Sequence, residues 1–147
     1  MNARTGGCLC GDVRFEIRGA IPDLYQCHCS LCRKVTGSSA NSAFMVRAED
    51  FSWTGPAPKI RFFKRSTGYR NDFCEHCGSP VPFAMEAEGR MWVPAGAMDG
   101  ALGARVTNHI FVGSKADWDE IGGSARRHDG DPGLATLLGG VAARKPA

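Results

Sequence analysis

Cys74-Glu75-His76-Cys77-Gly78 has the two-residue spacing of a zinc knuckle, and Cys8-Leu9-Cys10-Gly11 is a second cysteine pair closed by a glycine. In an extended segment residues i and i+2 point the same way, so Cys8 and Cys10 can offer two sulfurs to one ion while Leu9 faces away. A glycine after the last ligand lets the chain turn sharply beside a metal, because positive φ costs it little. Four thiolates from two such pairs make a closed tetrahedral zinc site. The pairing of Cys8, Cys10, Cys74 and Cys77 would tie the N-terminal strand to the middle of the domain. The alternative for these four residues is a set of free buried cysteines.

The remaining three of the seven cysteines lie in Cys27-His28-Cys29-Ser30-Leu31-Cys32. An extended pair followed by a helical turn can wrap one ion with three sulfurs. That leaves a coordination position open, as catalytic zinc sites do. The fourth ligand is a water, a substrate thiol or a remote side chain. His28 is the rival ligand, but an extended segment turns it away from Cys27 and Cys29. A zinc held by three thiolates is a weaker Lewis acid than one held by neutral histidines, yet it suits the capture and ionisation of an incoming thiol. Arg33 and Lys34 follow the last ligand and are candidates to steer an anionic substrate or stabilise an oxyanion. Their bland reading is two exposed charges. His76, inside the knuckle, is expected to face solvent. His109 reads as a hydrogen-bonded structural group or as part of a pocket wall.

Composition agrees with a metal protein in a reducing compartment. Hydrophobic residues make up 43% and charged residues 22% of the 147, which is ordinary for one globular domain able to bury a core without disulfides. No apolar run is long enough to cross a bilayer, and the first residues carry no apolar signal core. A cytoplasmic location is therefore expected, where clustered cysteines more often bind metal than form disulfides. Seven thiolates with two divalent zinc ions contribute three net negative charges, which cancels the formal +3. The apparent basicity is thus poor evidence for a nucleic-acid partner, and Arg33-Lys34, Lys59 to Arg65 and Arg126-Arg127 read as solvated faces.

Along the chain, Val13, Phe15 and Ile17 alternate with charged residues as a half-buried strand. Leu24 to Cys29 is a second extended segment. Ser30 to Thr36 fits one helical turn capped by Ser30 and stopped by Gly37. Further short strands are expected at Ala43 to Val46, around Phe51 and Trp53, at Ile60 to Phe63, Tyr69 to Phe73, Pro80 to Met85, Met91 to Val93 and Val106 to Val112, with a breaker at Gly55-Pro56-Ala57-Pro58. Such density predicts a mainly β domain of short antiparallel strands with little helix. Residues 1–122 read as the zinc-binding domain and 123–147 as a polar Gly-, Ala- and Arg-rich tail with at most one packed turn, Leu134 to Leu138 being its candidate helix.

Gly6 to Phe15, Cys27 to Lys34, Phe73 to Ser79 and His109 to Trp118 together resemble the motifs of the glutathione-dependent formaldehyde-activating enzyme family, which includes S-hydroxymethylglutathione synthase-like members and centromere protein V-like zinc domains. The resemblance covers roughly residues 5 to 121. It implies a β-tent-like zinc fold with two zinc ions per chain: a structural one on Cys8, Cys10, Cys74 and Cys77, and a catalytic one on Cys27, Cys29 and Cys32. It also implies a carbon–sulfur lyase acting on glutathione, as substrate or co-substrate, and formaldehyde. No residue of the chain is matched to the carboxylates of glutathione. Family membership constrains the fold more tightly than the substrate.

The expected partner is a small-molecule thiol, with no nucleic acid, no membrane and a homodimer as the assembly kept open. Three other functions compete. One is a non-enzymatic carrier of glutathione or a thiol adduct. Another is a macromolecular interaction module, since relatives of this family associate with chromatin or the cytoskeleton. The last is a redox sensor, which needs exposed, metal-free cysteines.

Overall fold

The computed structural model describes residues 3–56 and 59–142, so Ala57 and Pro58 of the expected breaker and the last five residues of the expected tail lie outside it. The elements in chain order are β1 (Arg4–Gly7), β2 (Arg14–Ile17), β3 (Leu24–Cys27), α1 (Ser30–Thr36), β4 (Asn41–Arg47), β5 (Phe51–Thr54), β6 (Ile60–Lys64), β7 (Arg70–Cys74), β8 (Phe83–Met85), β9 (Arg90–Pro94), β10 (Val106–Ile110), β11 (Arg126–Arg127) and α2 (Leu134–Ala142). With 37% strand and 18% helix, the expected mainly β class holds. The chain forms two units: Met1–Ile21 with Met45–Gly103, and Pro22–Phe44 with Ala104–Ala147.

In the first unit β2 lies between β1 and β5, antiparallel to both. Its alternation places Phe15 and Ile17 in the core, both with no exposed surface. The Phe15 ring stacks on Phe51 at 5.4 Å and meets Trp53 edge-on at 6.2 Å. Gly6 lies opposite Phe15 in the register. A Cβ on Gly6 would come within 2.5 Å of the Phe15 Cζ and 2.7 Å of the Ala97 carbonyl oxygen, so only glycine admits both. On the outer face Arg14 and the Thr5 hydroxyl both donate to the Asp99 carboxylate, at 2.7 and 2.8 Å, and hold it below the usual carboxylate range. β6 and β7 form an antiparallel hairpin, as do β8 and β9. β1 was not legible as a strand, because Arg-Thr-Gly-Gly shows no alternation of apolar side chains. It forms by pairing with β2.

In the second unit the order is β11-β10-β3-β4. β3 and β4 are antiparallel like the pairs of the first unit, and β10 adds two parallel pairs, with β3 and with β11. The expected strand to Val112 stops at Ile110 because Phe111 takes a left-handed backbone, φ 54°, and its carbonyl accepts from the Ser114 amide. The segment expected to be a tail supplies two elements. β11 pairs with Asn108 and His109, and α2 runs from Leu134 to Ala142. A two-residue strand of arginines carries no periodic signal, which is why it was missed. No helix among the described residues is long and apolar enough to cross a membrane.

Phe15→Ala should cost about 3–5 kcal/mol of stability, the range for truncating a buried aromatic. A guanidinium unfolding curve with an unchanged midpoint would show that Phe15 is not the keystone of the β1-β2-β5 sheet.

Candidate functional site

The first cluster lies wholly in the first unit. The Sγ atoms of Cys8, Cys10, Cys74 and Cys77 all lie within 4.8 Å of one another. Cys8 and Cys10 are 3.6 Å apart, and Cys10 and Cys74 are 3.8 Å apart. Those separations are far beyond the disulfide length of about 2.05 Å. They match the edge of about 3.8 Å of a tetrahedron whose centre lies about 2.3 Å from each sulfur, the zinc–thiolate distance. Two turns build the cluster. After Cys8 and Cys10, Gly11 (φ 89°) donates to the Cys8 carbonyl and the Val13 amide to the Cys8 Sγ. After Cys74 and Cys77, Gly78 (φ 76°) donates to the Cys74 carbonyl. Ser79 links the two turns, since its Oγ accepts from the Leu9 amide and lies 3.2 Å from the Cys77 Sγ. Behind the sulfurs, Val13 and Val81 are fully buried against Cys8 and Cys74.

These thiols are unequal. The Ser79 hydroxyl and amide bring Cys77 down to about 5. Burial opposes ionisation of Cys8, but the Val13 amide and the Cys10 and Cys74 thiols outweigh it and lower the group. The Asp12 amide favours a Cys10 thiolate, yet burial and the three neighbouring thiols push it up to about 12. Four sulfurs this close cannot all ionise without a cation, and the donor set fits a soft divalent metal.

The second cluster lies wholly in the second unit. Cys27 ends β3, Cys29 caps α1 and Cys32 lies in its first turn, with the three Sγ atoms within 4.8 Å of one another. The helix cap is Cys29 and not the expected Ser30, because the Cys29 Sγ accepts from the Cys32 amide at 3.3 Å. Cys27 and Cys32 are buried and Cys29 is half-buried. Among the described residues no fourth His, Cys, Asp or Glu joins this group. The Cys27 thiol is pushed well up, first by its hydrogen bond with the Cys32 thiol and then by burial. Arg33 donates from one terminal nitrogen to the Ser114 carbonyl at 3.3 Å, while its Nε is buried without a partner. Lys34 is exposed.

His28 points away from the sulfurs, as alternation required. Its Nε2 lies 3.0 Å from Nδ1 of His109 and its Nδ1 lies 3.3 Å from Asp119 Oδ2. The latter contact is close enough for an ion pair but is not aligned as a hydrogen bond, so both atoms stay buried without one. His28 and His109 both line a cavity of 780 Å³. His109 is thus both a hydrogen-bonded group and part of a pocket wall. Asp119, the third member of this chain, was missed in the sequence, where it sits in a polar stretch after Trp118 with no spacing signal. His76 faces solvent at 72% side-chain exposure, 3.4 Å from Asp12 Oδ2.

The family model for glutathione-dependent formaldehyde-activating enzymes matches residues 3–114. The chain belongs to that family. Among solved structures it is similar to a Rhodobacter sphaeroides protein solved as a structural genomics target. The two are 23% identical, with a TM-score of 0.53 over 70% of this chain and 99% of that one, a likeness of fold. Membership ties the chain to the glutathione and formaldehyde theme for which the family is named. Residues 115–142, which supply Asp119, β11 and α2, lie beyond the matched span.

Burial holds both His28 and His109 below the ordinary histidine value of 6.5, helped at His109 by the charges of His28 and Arg127. An unfolded chain therefore takes up these protons first as pH falls. Stability should be intact above about 6.5 and decline below it, at up to about 1.4 kcal/mol per pH unit for each histidine. His109→Gln should flatten that slope in thermal melts between pH 8 and 5.5. A slope identical to the parent's would mean that His109 binds its proton equally well in the folded and unfolded chain.

Proposed function

We propose that this chain is a zinc-dependent carbon–sulfur lyase acting on a thiol adduct, with glutathione and formaldehyde as the default pair and S-hydroxymethylglutathione as the adduct. The observation that carries this reading is the group of three sulfurs, Cys27, Cys29 and Cys32, with no fourth donor of the usual kinds among the described residues. Three protein ligands with one place left for substrate is the arrangement of a catalytic zinc, whereas the four sulfurs of Cys8, Cys10, Cys74 and Cys77 suit a closed structural one. Zinc at the three-sulfur group would supply a Lewis acid that keeps an incoming thiol ionised near neutral pH. In the synthetic direction a sulfur–carbon bond forms, the carbonyl π-bond breaks and the thiol proton ends on oxygen.

The chain's own residues have distinct parts in this scheme. Cys27 and Cys32 are buried and keep water from two sides, while half-buried Cys29 marks the accessible side. Arg33, one residue after Cys32, is fixed by the Ser114 carbonyl and keeps a buried, unpaired Nε–H, the kind of donor that stabilises charge developing on oxygen. Lys34 is exposed and would act only by attracting anions.

Cys29→Ser separates chemistry from folding. Serine is a preferred helix cap, so α1 keeps its first-turn hydrogen bond while the site loses a sulfur. Exchange NMR on glutathione and formaldehyde at equilibrium should show faster interconversion with the zinc-loaded protein and none of that acceleration with Cys29→Ser. An unchanged rate with the parent protein would move the function to adduct binding.

The two metal sites should also differ in stability. Cys10 and Cys74 are 64 residues apart, so zinc there contributes to folding itself, whereas the second cluster is local in sequence. Graded chelation followed by circular dichroism should release one zinc without unfolding and the second together with the fold. Release of both in one step would refute this division.

A further inference from the structure

We propose that Cys10, Asp12 and His76 form an outer binding site for a further divalent ion of the zinc class, beside the four-sulfur group and sharing Cys10 with it. The site is independent of the lyase reading, since none of its residues belongs to the group of Cys27, Cys29 and Cys32. It takes the metal load of the chain beyond the two ions that the family resemblance implies.

Two turns that the four-sulfur group already requires bring these side chains together. In the first, Gly11 between Cys10 and Asp12 has φ 89°, and the Asp12 amide donates to Cys10 Sγ. In the second, His76 sits between Cys74 and Cys77 and turns outward, with its side chain 72% exposed. The hydrogen bond from the Leu9 amide to Ser79 Oγ ties the two turns to each other. Nδ1 of His76 lies 3.4 Å from Oδ2 of Asp12, and one donor atom from each of the three residues lies within 4.8 Å of the others. An ion bound about 2.1 Å from a nitrogen and from an oxygen, at the tetrahedral angle, holds the two about 3.4 Å apart. Imidazole and carboxylate therefore stand at the separation of two ligands of one ion. An exposed ion pair stabilises a protein little, so fold stability alone does not call for these groups to meet beside a sulfur.

The donor set selects the ion. A thiolate, an imidazole nitrogen and a carboxylate oxygen suit zinc, cobalt or cadmium, whereas magnesium and calcium call for oxygen ligands throughout. Cys10 is the exposed member of its group, while Cys8 and Cys74 are buried and Cys77 is half-buried. A thiolate sulfur keeps lone pairs after binding one ion, so the exposed sulfur can serve a second ion on its outward side. A divalent ion among four thiolates leaves net negative charge, and Asp12 adds to it, which attracts a cation to this spot. Glu75, between Cys74 and His76, is engaged by Arg61 at 3.3 Å and is not counted among the ligands. Three protein ligands leave one position for water. An ion held there is exchangeable, in contrast to one enclosed by four sulfurs.

Equilibrium dialysis of the full chain against graded free zinc, under reducing conditions, measures the load. At saturation the parent should bind one ion more than His76→Ala and one more than Asp12→Ala, and excess magnesium should not displace it. Both side chains are at least half exposed, so the variants should fold, with circular dichroism spectra equal to the parent's. Equal loads in parent and variants would overturn the site and make any extra ion adventitious. With cadmium in place of zinc, NMR of the metal nucleus tests the shared sulfur. Filling the outer site should shift the resonance of the ion in the four-sulfur group of the parent and leave it unmoved in His76→Ala. An unmoved resonance in the parent would overturn the sharing of Cys10. Neither variant touches Cys27, Cys29 or Cys32, so failure of the outer site would leave the lyase standing. Failure of the lyase would equally leave the outer site.

Discussion

Sulfur atoms held close enough to repel one another as thiolates are the constraint around which both units are built. In the first unit four of them, drawn from chain segments 64 residues apart at Cys10 and Cys74, lie within 4.8 Å. The surroundings prepare them unequally, with Cys77 lowered to about 5 beside Ser79 and Cys10 raised to about 12 among its neighbours. Hydrogen bonds from Ser79 account for the lowered thiol, and burial with the neighbouring thiols accounts for the raised one. The fully buried Val13 and Val81 back the same sulfurs, so apolar packing and ligand placement are one arrangement. A substitution that disturbed either would disturb both.

The second unit uses the alternation of an extended chain to separate two chemistries at neighbouring residues. Cys27 and Cys29 face one way with Cys32, and His28 between them faces the other. One side collects soft ligands and the other a buried polar chain of His28, His109 and Asp119. His28 is therefore unavailable as the fourth ligand of the sulfur group, which is why that group keeps three donors. The left-handed Phe111 ends β10 one residue after Ile110, whose carbonyl accepts from the His28 amide. That backbone bond holds the His28 position against β10 and so places the imidazole beside His109.

The parts of this fold that were legible in the sequence are those whose signal is local. Cysteine spacing identified both sulfur groups, the Val13-Phe15-Ile17 alternation marked β2, and the period of two turned His28 away from the ligands. What was not legible depends on partners distant in the chain. β1 is a strand only because Gly6 lets Phe15 approach its backbone. β11 is two arginines that acquire strand geometry from Asn108 and His109. The parallel pairing of β10 with β3 follows from chain routing and has no pattern in either segment. Cys29 takes the place of Ser30 as helix cap because its Sγ accepts from the Cys32 amide, a contact that no residue-type preference for serine reveals.

Asp119, in the segment after the family match, completes the buried polar group of His28 and His109. A carboxylate only 14% exposed, beside a histidine 3% exposed, is costly unless something donates to it. Its Oδ2 lies 3.3 Å from Nδ1 of His28, which places the imidazole as its nearest compensating group. The seven cysteines that could hold metal all precede residue 115 and fall within the span matched by the family model. Asp119 and the cavity-lining residues from Glu120 to Arg126 follow it. The sulfur groups thus lie in the part of the chain that the family model covers, and half of the cavity wall lies in the part that it does not. A sulfur centre on one side of β3 and a cavity wall completed by a later segment is the kind of division by which one fold can host different functions.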